Sequence, residues 1–460
     1  MQKKIKENTP PQFCSRKTKR GGDSQKFFIK TFGCQMNKYD SGMMGKCLQN
    51  DGYVLTEKEE DADVILLNTC SVREHAENRV YGIIGQLKPL KKSKPDLIIG
   101  VCGCMAQKEG EKLVAKFPQI NLVCGTHRFT EIAHILKQAV ENGKPVVDIR
   151  EEDAGLIHQA PTESTRVCAW VSVMRGCDSF CTYCVVPYLR GRERSKPSML
   201  ILDEIEKLAG CGVKEVTLLG QNIAAYGKGL DEKTDFAGLL EKVDRIEGIS
   251  RIRFLTSHPK DVGDNLFESI RDLEKVCESL HLPMQAGSDR ILKLMNRRYT
   301  MDYYKKLVDK VRNLVPDIGL STDIIVGFPG ETDEDFAETR KMMETIEFDD
   351  AFIYKYSQRP GTKAVLMEEQ VEENIKQERI EQLLVLQRKI TAKKNEKLSG
   401  NQVEVLVEEV SKKNPVYLYG KTRTDKNVVF EGGKELIGQM VDVRIVETGI
   451  ATLVGERTRG

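Results

Sequence analysis

The sequence predicts an α/β protein built in three parts. An N-terminal domain with a parallel βα sheet comes first, then a partial (β/α)6 TIM-like barrel, then a small C-terminal β-barrel. Three observations predict this. Short β-rich runs alternate with helical periods from 26 to about 148, the pattern of a parallel sheet with helices on both faces. A second βα series starts at 168 and supplies six units, which suits an open TIM-like barrel. From 397 onward the helical periods stop, and short strands alternate with turn signals.

Composition narrows the class. A chain of 460 residues, 40% hydrophobic and 30% charged, has room for several domains with real cores. No apolar run approaches the ~18–20 residues of a membrane span, and the N-terminus has no apolar signal-peptide core. The expectation is a cytoplasmic protein with no membrane partner. Thirteen cysteines without an export signal argue for ligands and reduced thiols over a disulfide framework. A net charge of +2 excludes a globally basic nucleic-acid binder, so any such contact must use a local patch.

Residues 1–25 read as a disordered basic tail, either a weak, salt-sensitive RNA attractor or a plain solvated extension. Cys14 lies there and is a poor ligand candidate. In the domain at 26–148, strands are expected at 27–32, 64–68, 97–102 and 122–124, with helices at about 38–50, 72–88, 106–116 and 129–141. Ligands of such sheets sit outside the carboxyl ends of the strands. Cys34, Cys70 and Cys104 each end a strand and so converge on one rim. The alternative is three ordinary buried thiols. Cys102 is expected to point into the packing, spacing alone leaves Cys124 open, and Cys47 reads as core.

A polar linker at 149–167 leads into a domain at 168–396. Its strands are expected at 170–174, 215–219, 251–255, 279–282, 320–326 and 351–356, with helices such as 198–210, 236–246 and 301–314 between them. Just after the first strand comes Val173-Met174-Arg175-Gly176-Cys177-Asp178-Ser179-Phe180-Cys181-Thr182-Tyr183-Cys184. Three cysteines at Cys-x3-Cys-x2-Cys spacing bind a metal or cluster more often than they build a core. A cubane that only carries electrons takes four cysteines, so three leave one iron open for chemistry. A zinc knot would need a matching pair nearby, and none is present. The loop resembles the signature of radical S-adenosylmethionine (SAM) enzymes, in which the open iron chelates SAM and one electron splits it into methionine and a 5′-deoxyadenosyl radical. The runs after the later strands, around Gln221, Ser257, Gln285 and Gly327–Thr332, gather on the same rim and favour a cofactor pocket over mere turn chemistry. A charged amphipathic helix at 365–396 connects to the last domain, 397–460. There Lys421, Arg423 and Lys426 beside Tyr419 and Phe430 form either an RNA patch, by phosphate contact and stacking, or a solvated hairpin.

Three parts in this order resemble the methylthiotransferase family from about 26 onward. The resemblance is carried by Thr31-Phe32-Gly33-Cys34-Gln35-Met36-Asn37, by Asn68-Thr69-Cys70-Ser71-Val72-Arg73-Glu74 with Ala76-Glu77-Asn78, and by Gly103-Cys104-Met105-Ala106-Gln107. It continues through 175–190, 282–290 and 323–332. That family joins an auxiliary-cluster domain, a radical SAM domain and an RNA-binding TRAM domain. The resemblance implies two 4Fe–4S clusters, the auxiliary one on Cys34, Cys70 and Cys104 and the radical SAM one on Cys177, Cys181 and Cys184, with Cys102 and Cys124 matching no family ligand. It places SAM against the backbone around Tyr183 and near Gln221, Ser257, Gln285 and Ile324, and leaves Lys421, Arg423 and Phe430 for RNA. Arg192 and Arg194 are open between SAM carboxylate, RNA phosphate and exposed loop charge; His258 is open between a proton relay and a hydrogen-bonded turn. The run from Arg73 to Asn78 tilts the resemblance toward the branch that thiomethylates C2 of isopentenyladenosine at tRNA position 37. Threonylcarbamoyl-adenosine, an aspartate of a ribosomal protein and a cluster-dependent RNA-binding regulator remain as rivals. The implied partners are a tRNA anticodon stem-loop and an electron donor such as flavodoxin or ferredoxin, acting on a monomer.

Overall fold

The structure, a computed structural model, describes residues 24–71, 74–152 and 167–458. The expected tail with Cys14, the Val72-Arg73 part of the family run, and the linker from 153 to 166 lie outside the described residues. The N-terminal domain runs β1 (Lys26–Thr31), α1 (Gln35–Asn50), β2 (Val54–Leu55), β3 (Val64–Thr69), α2 (Glu74–Ser93), β4 (Ile98–Gly103), α3 (Cys104–Glu109), α4 (Glu111–Lys116), β5 (Leu122–Cys124), α5 (Ile132–Asn142) and β6 (Val146–Asp148). The six strands form one parallel sheet in the order β2-β1-β3-β4-β5-β6. All six residues of β3 are buried, as a strand covered on both faces requires. Alternate residues feed two cores: Ile65, Leu67, Ile99 and Val101 on one face, Val64, Leu66, Cys102 and Leu122 on the other. The helix expected at 106–116 is broken in two, because Gly110 takes φ +51 between α3 and α4.

The second domain begins with β7 (Cys168–Ser172) and a two-residue ladder, β8 (Met174–Arg175) against β9 (Arg194–Ser195), with α6 (Val186–Leu189) between. Then follow α7 (Ser198–Gly210), β10 (Glu215–Leu219), α8 (Phe236–Asp244), β11 (Arg251–Leu255), α9 (Asp264–Asp272), β12 (Ser279–His281), α10 (Asp289–Leu294), α11 (Met301–Leu314), β13 (Gly319–Val326), α12 (Asp333–Ile346) and β14 (Asp350–Lys355). Two three-stranded parallel sheets, β7-β10-β11 and β12-β13-β14, meet where Ile252 bridges Val276. The result is six strands in chain order, with β7 and β14 unpaired to each other among the described residues. That is the open barrel expected. One continuous core lies between strands and helices, from Val171 and Val216 through Leu280 to Ile324 and Phe348.

Helix α13 (Glu373–Glu396) leads to a closed five-stranded barrel, β15 (Gln402–Val410), β16 (Tyr417–Thr422), β17 (Asn427–Glu431), β18 (Met440–Thr448) and β19 (Leu453–Arg457), ordered β15-β16-β17-β19-β18. It plugs the N-terminal end of the larger barrel. Buried Arg251, at the start of β11, donates to Lys421 O at 2.7 Å and Glu404 Oε1 at 2.7 Å. Arg253 donates to Arg423 O at 2.9 Å and Thr422 O at 2.6 Å. In return Arg423 forks onto Glu278 at 2.7 and 2.8 Å, and Lys426 pairs with Asp349 at 3.0 Å. These partners precede β12 and β14, on the face opposite the strand ends that carry chemistry in this fold.

This corrects the RNA patch. Phe430 is fully buried in the small barrel's core with Leu418 and Val443, so its ring offers no face for base stacking. Arg423 is spent on Glu278, and Lys421 pairs with Asp425 at 2.7 Å. A closed barrel turns alternate residues inward, and Phe430 falls on that side. No helix among the described residues is long and apolar enough to cross a membrane.

Candidate active site

The Cys-x3-Cys-x2-Cys loop leaves the β8–β9 ladder and is fastened on every side. Gly176 has φ +75, and a Cβ there would lie 2.0 Å from Arg192 O, so only glycine fits. Cys177 N–H donates to Gly191 O at 3.2 Å, and Thr182 N–H to Met295 O at 3.1 Å. Asn296 Nδ2 donates to Ser179 O and Phe180 O at 3.2 and 3.0 Å, steadying Phe180 at φ +46. Burial raises the Cys177 thiol, and burial together with the neighbouring Cys181 pushes Cys184 up to about 12. Thiols that burial holds protonated, as at Cys177 and Cys184, are what a cationic iron centre would compensate, and three cysteines within eight residues are the donor type a cluster takes. Arg297, itself buried, donates from Nη1 to Cys181 Sγ at 3.6 Å. Its other nitrogens are taken by Tyr299 Oη and Pro283 O.

The expected SAM residues scatter in kind. The Tyr183 ring packs edge-on against Phe328 at 6.4 Å. Ser257 Oγ is buried with no hydrogen-bond partner among the described residues, a polar atom that a ligand would satisfy. Gln285 sits at φ +69, its N–H on Asp323 O and its carbonyl taken by Ile325 N–H. Ile324 is fully buried in the core, so as a side-chain contact it is corrected. His258 is a turn histidine: Nδ1 accepts from Lys260 N–H at 3.3 Å, and burial with nearby Arg297 and Lys260 lowers it to about 2. Arg192 forks onto Asp178 at 2.6 and 3.3 Å on an exposed surface, and Arg194 is exposed too.

The second cysteine set is assembled from three strand ends. Cys34 precedes α1, Cys70 follows β3, and Cys104 opens α3 directly after β4. Gly33, at φ +106, lets the first two approach: a Cβ there would lie 2.4 Å from Cys70 Cβ. Buried Asn37 pins the rim, its Nδ2 donating to Phe32 O and Thr69 O, both at 2.9 Å. The three cysteines line a cavity of about 390 Å³, solvent mouth included, whose far wall is α6 with Val185, Arg190 and Gln221. Gln221, expected beside SAM, therefore sits at this second cavity, with Oε1 unpartnered among the described residues. Cys34 is drawn down to about 6, chiefly by the hydrogen bond with Cys70 and further by Arg190, whereas burial raises Cys104. Cys102 and Cys124 lie opposite each other on β4 and β5, buried in the core and away from the cavity.

Two residues the sequence did not single out organise this cavity. Arg190 Nη2 donates to Asn37 Oδ1 at 2.9 Å and Asp40 Oδ2 at 2.8 Å. Arg175 Nη2 holds the other oxygen of Asp40 at 2.8 Å, and Asp40 is wholly buried. Both arginines stand inside the 175–190 run, but nothing local tells that their partner lies in α1.

Residues 171–343 match the Radical SAM superfamily, residues 396–456 the TRAM domain, and residues 26–125 the Uncharacterized protein family UPF0004. A solved radical S-adenosylmethionine methyltransferase, TsrM from Kitasatospora setae, superposes with a TM-score of 0.56 at 13% identity, covering 75% of this chain and 74% of that one. The class is thus a radical SAM protein with a TRAM domain. The tRNA-2-methylthio-N(6)-dimethylallyladenosine synthase of Thermoanaerobacter pseudethanolicus is 50% identical over 95% of this chain and 93% of that protein. The same-named protein of Clostridium perfringens is 46% identical over 94% and 98%. The chain belongs to the tRNA-2-methylthio-N(6)-dimethylallyladenosine synthase family.

Proposed function

We propose that this enzyme adds a methylthio group to C2 of N6-isopentenyladenosine at position 37 of tRNA, consuming two SAM and one sulfur per turnover. The observation that carries the reading is the pair of cysteine triads, one on each domain, with the wall of the second cavity formed by the helix that leaves the first loop. In this reading Cys177, Cys181 and Cys184 hold a 4Fe–4S cluster with SAM, and Cys34, Cys70 and Cys104 hold a second. Bound there, the two centres would supply methyl transfer to sulfur and a carbon radical able to remove the C2 hydrogen of adenine, which the methylthio group replaces.

The protein's own part is placement. Adenine C2–H is beyond any side-chain base near neutral pH, and His258, neutral under those conditions, serves as a fixed turn element. Arg297 sets one electropositive contact at Cys181, while Ser257 and Gln285 form the polar floor for SAM. Val185 and Leu189, packed on Cys104, exclude water from the auxiliary side. The target base leaves its stack to reach the rim, a flavodoxin or ferredoxin supplies electrons, and the TRAM barrel contributes to holding the stem-loop from surfaces other than its buried Phe430.

Mass spectrometry of tRNA nucleosides, from cells lacking the native activity with and without this chain, tests the reading. Appearance of 2-methylthio-isopentenyladenosine with loss of its precursor supports it. Appearance of 2-methylthio-threonylcarbamoyl-adenosine moves the substrate, and neither product from a cluster-loaded protein overturns it.

A further inference from the structure

The two cysteine triads each have one buried arginine beside them, and the two are not equally satisfied. Arg297, beside Cys181, uses every nitrogen. Arg190 is as deeply buried, at 6% exposure, yet both its hydrogen bonds leave from Nη2, and Nη1 has no partner among the described residues. A buried guanidinium nitrogen without an acceptor is costly unless a ligand supplies one. The side chain lines the cavity with Cys34, Cys70 and Cys104. Arg175 and Arg190 share the single carboxylate of Asp40, and the Cys34 and Cys104 thiols face the Arg190 guanidinium from the cavity side. The same cavity has an apolar wall, Val185 and Leu189 packed with Cys104.

We infer that Arg190 is the positioning residue for an anionic sulfur ligand at the auxiliary centre, Nη1 donating to the sulfur and the valine–leucine wall receiving a methyl group. Hydrosulfide and methanethiolate share that chemistry. A charged, forked donor held rigid by Asp40 and Asn37 orients such an anion without reorganising. The inference rests on the proposed cluster assignment to Cys34, Cys70 and Cys104.

The test removes the other centre. In full-length protein carrying Cys177→Ala, Cys181→Ala and Cys184→Ala, the auxiliary cluster is reconstituted anaerobically and titrated with sodium sulfide, then with sodium methanethiolate, by EPR of the reduced cluster. The background protein is expected to load one cluster and to bind both. Adding Arg190→Gln is expected to weaken binding about tenfold or more at unchanged iron content, the scale of one charge-assisted hydrogen bond. Arg190→Lys is expected to fall between, because one ammonium must choose between Asp40 and the ligand. If Arg190→Gln binds as tightly as the background with full iron, the inference is overturned while the cluster assignment stands. Should Arg190→Gln fail to load iron, Arg190→Lys decides, and equal affinity there overturns it as well. A background protein that loads no cluster overturns the assignment and the inference with it.

Discussion

The two cysteine sites are built by opposite strategies. The radical SAM triad lies on one loop of eight residues, pinned by backbone bonds to Gly191 and Met295 and by Asn296. The auxiliary triad exists only after three parallel strands have stacked in register and Asn37 has tied two of their ends. A local loop is legible from spacing and needs little of the fold behind it. A dispersed site inherits its geometry from the sheet and from charges in another domain, so its stability and its chemistry are linked.

The sharpest way to break the comparison is to delete one thiol from each site. Cys181→Ala is expected to abolish both 5′-deoxyadenosine formation and thiomethylation in anaerobic assays with SAM and dithionite, whereas Cys34→Ala keeps SAM cleavage and loses thiomethylation. Full thiomethylation by Cys34→Ala would end the auxiliary assignment. Next in size, Asp40→Asn leaves Arg175 and Arg190 without their shared anion and is expected to cost about 3–5 kcal/mol in urea unfolding. Phe430→Ala is expected to cost a similar ~3–5 kcal/mol by leaving a cavity in the small barrel, and Phe430→Leu to recover most of it with tRNA affinity unchanged. Reduced tRNA affinity in a folded Phe430→Leu protein would return that ring to the RNA surface.

A subtler contrast lies within the auxiliary set. In metal-free protein Cys34, lowered to about 6, is a thiolate above that pH, so its alkylation rate rises from pH 5 to 7 and then levels. Cys104, raised by burial, keeps gaining reactivity past pH 9. At pH 7 Cys34 is expected to react roughly tenfold faster or more, read by mass spectrometry of alkylated peptides. Cys70→Ala removes the largest cause of the lowering and moves the Cys34 inflection upward. Smallest of all, Arg192→Ala, which opens an exposed pair with Asp178, is expected to leave the urea midpoint unmoved.

Much of this was readable in the residues. Period and turn signals locate the six barrel strands within a residue or two, and the strand-end rule gathers Cys34, Cys70 and Cys104 on one rim. What local pattern misses has several causes. Arg190 finds Asp40, and Arg423 finds Glu278, across separations of more than a hundred residues, which no local pattern encodes. Phe430 lies between Val429 and Glu431, so the run does not mark an inner face, and only closure of the barrel decides which side is inside. Ile324, which the resemblance places near SAM, is turned by the pleat into the core. Gly110 was one residue in a helical period until its positive φ split the helix.

The short helix Val186–Leu189 has a consequence for how such a chain can vary. It starts two residues after Cys184 and ends one residue before Arg190, so it acts as a spacer of fixed count between the two cysteine sites. One inserted residue would rotate Arg190 by about 100° and advance it by about 1.5 Å, carrying the guanidinium off Asp40. Side-chain exchanges on its outer face, such as at exposed Tyr188, leave that count untouched. The stretch therefore behaves as a gauge: indifferent to much of its composition and intolerant of any change in its length.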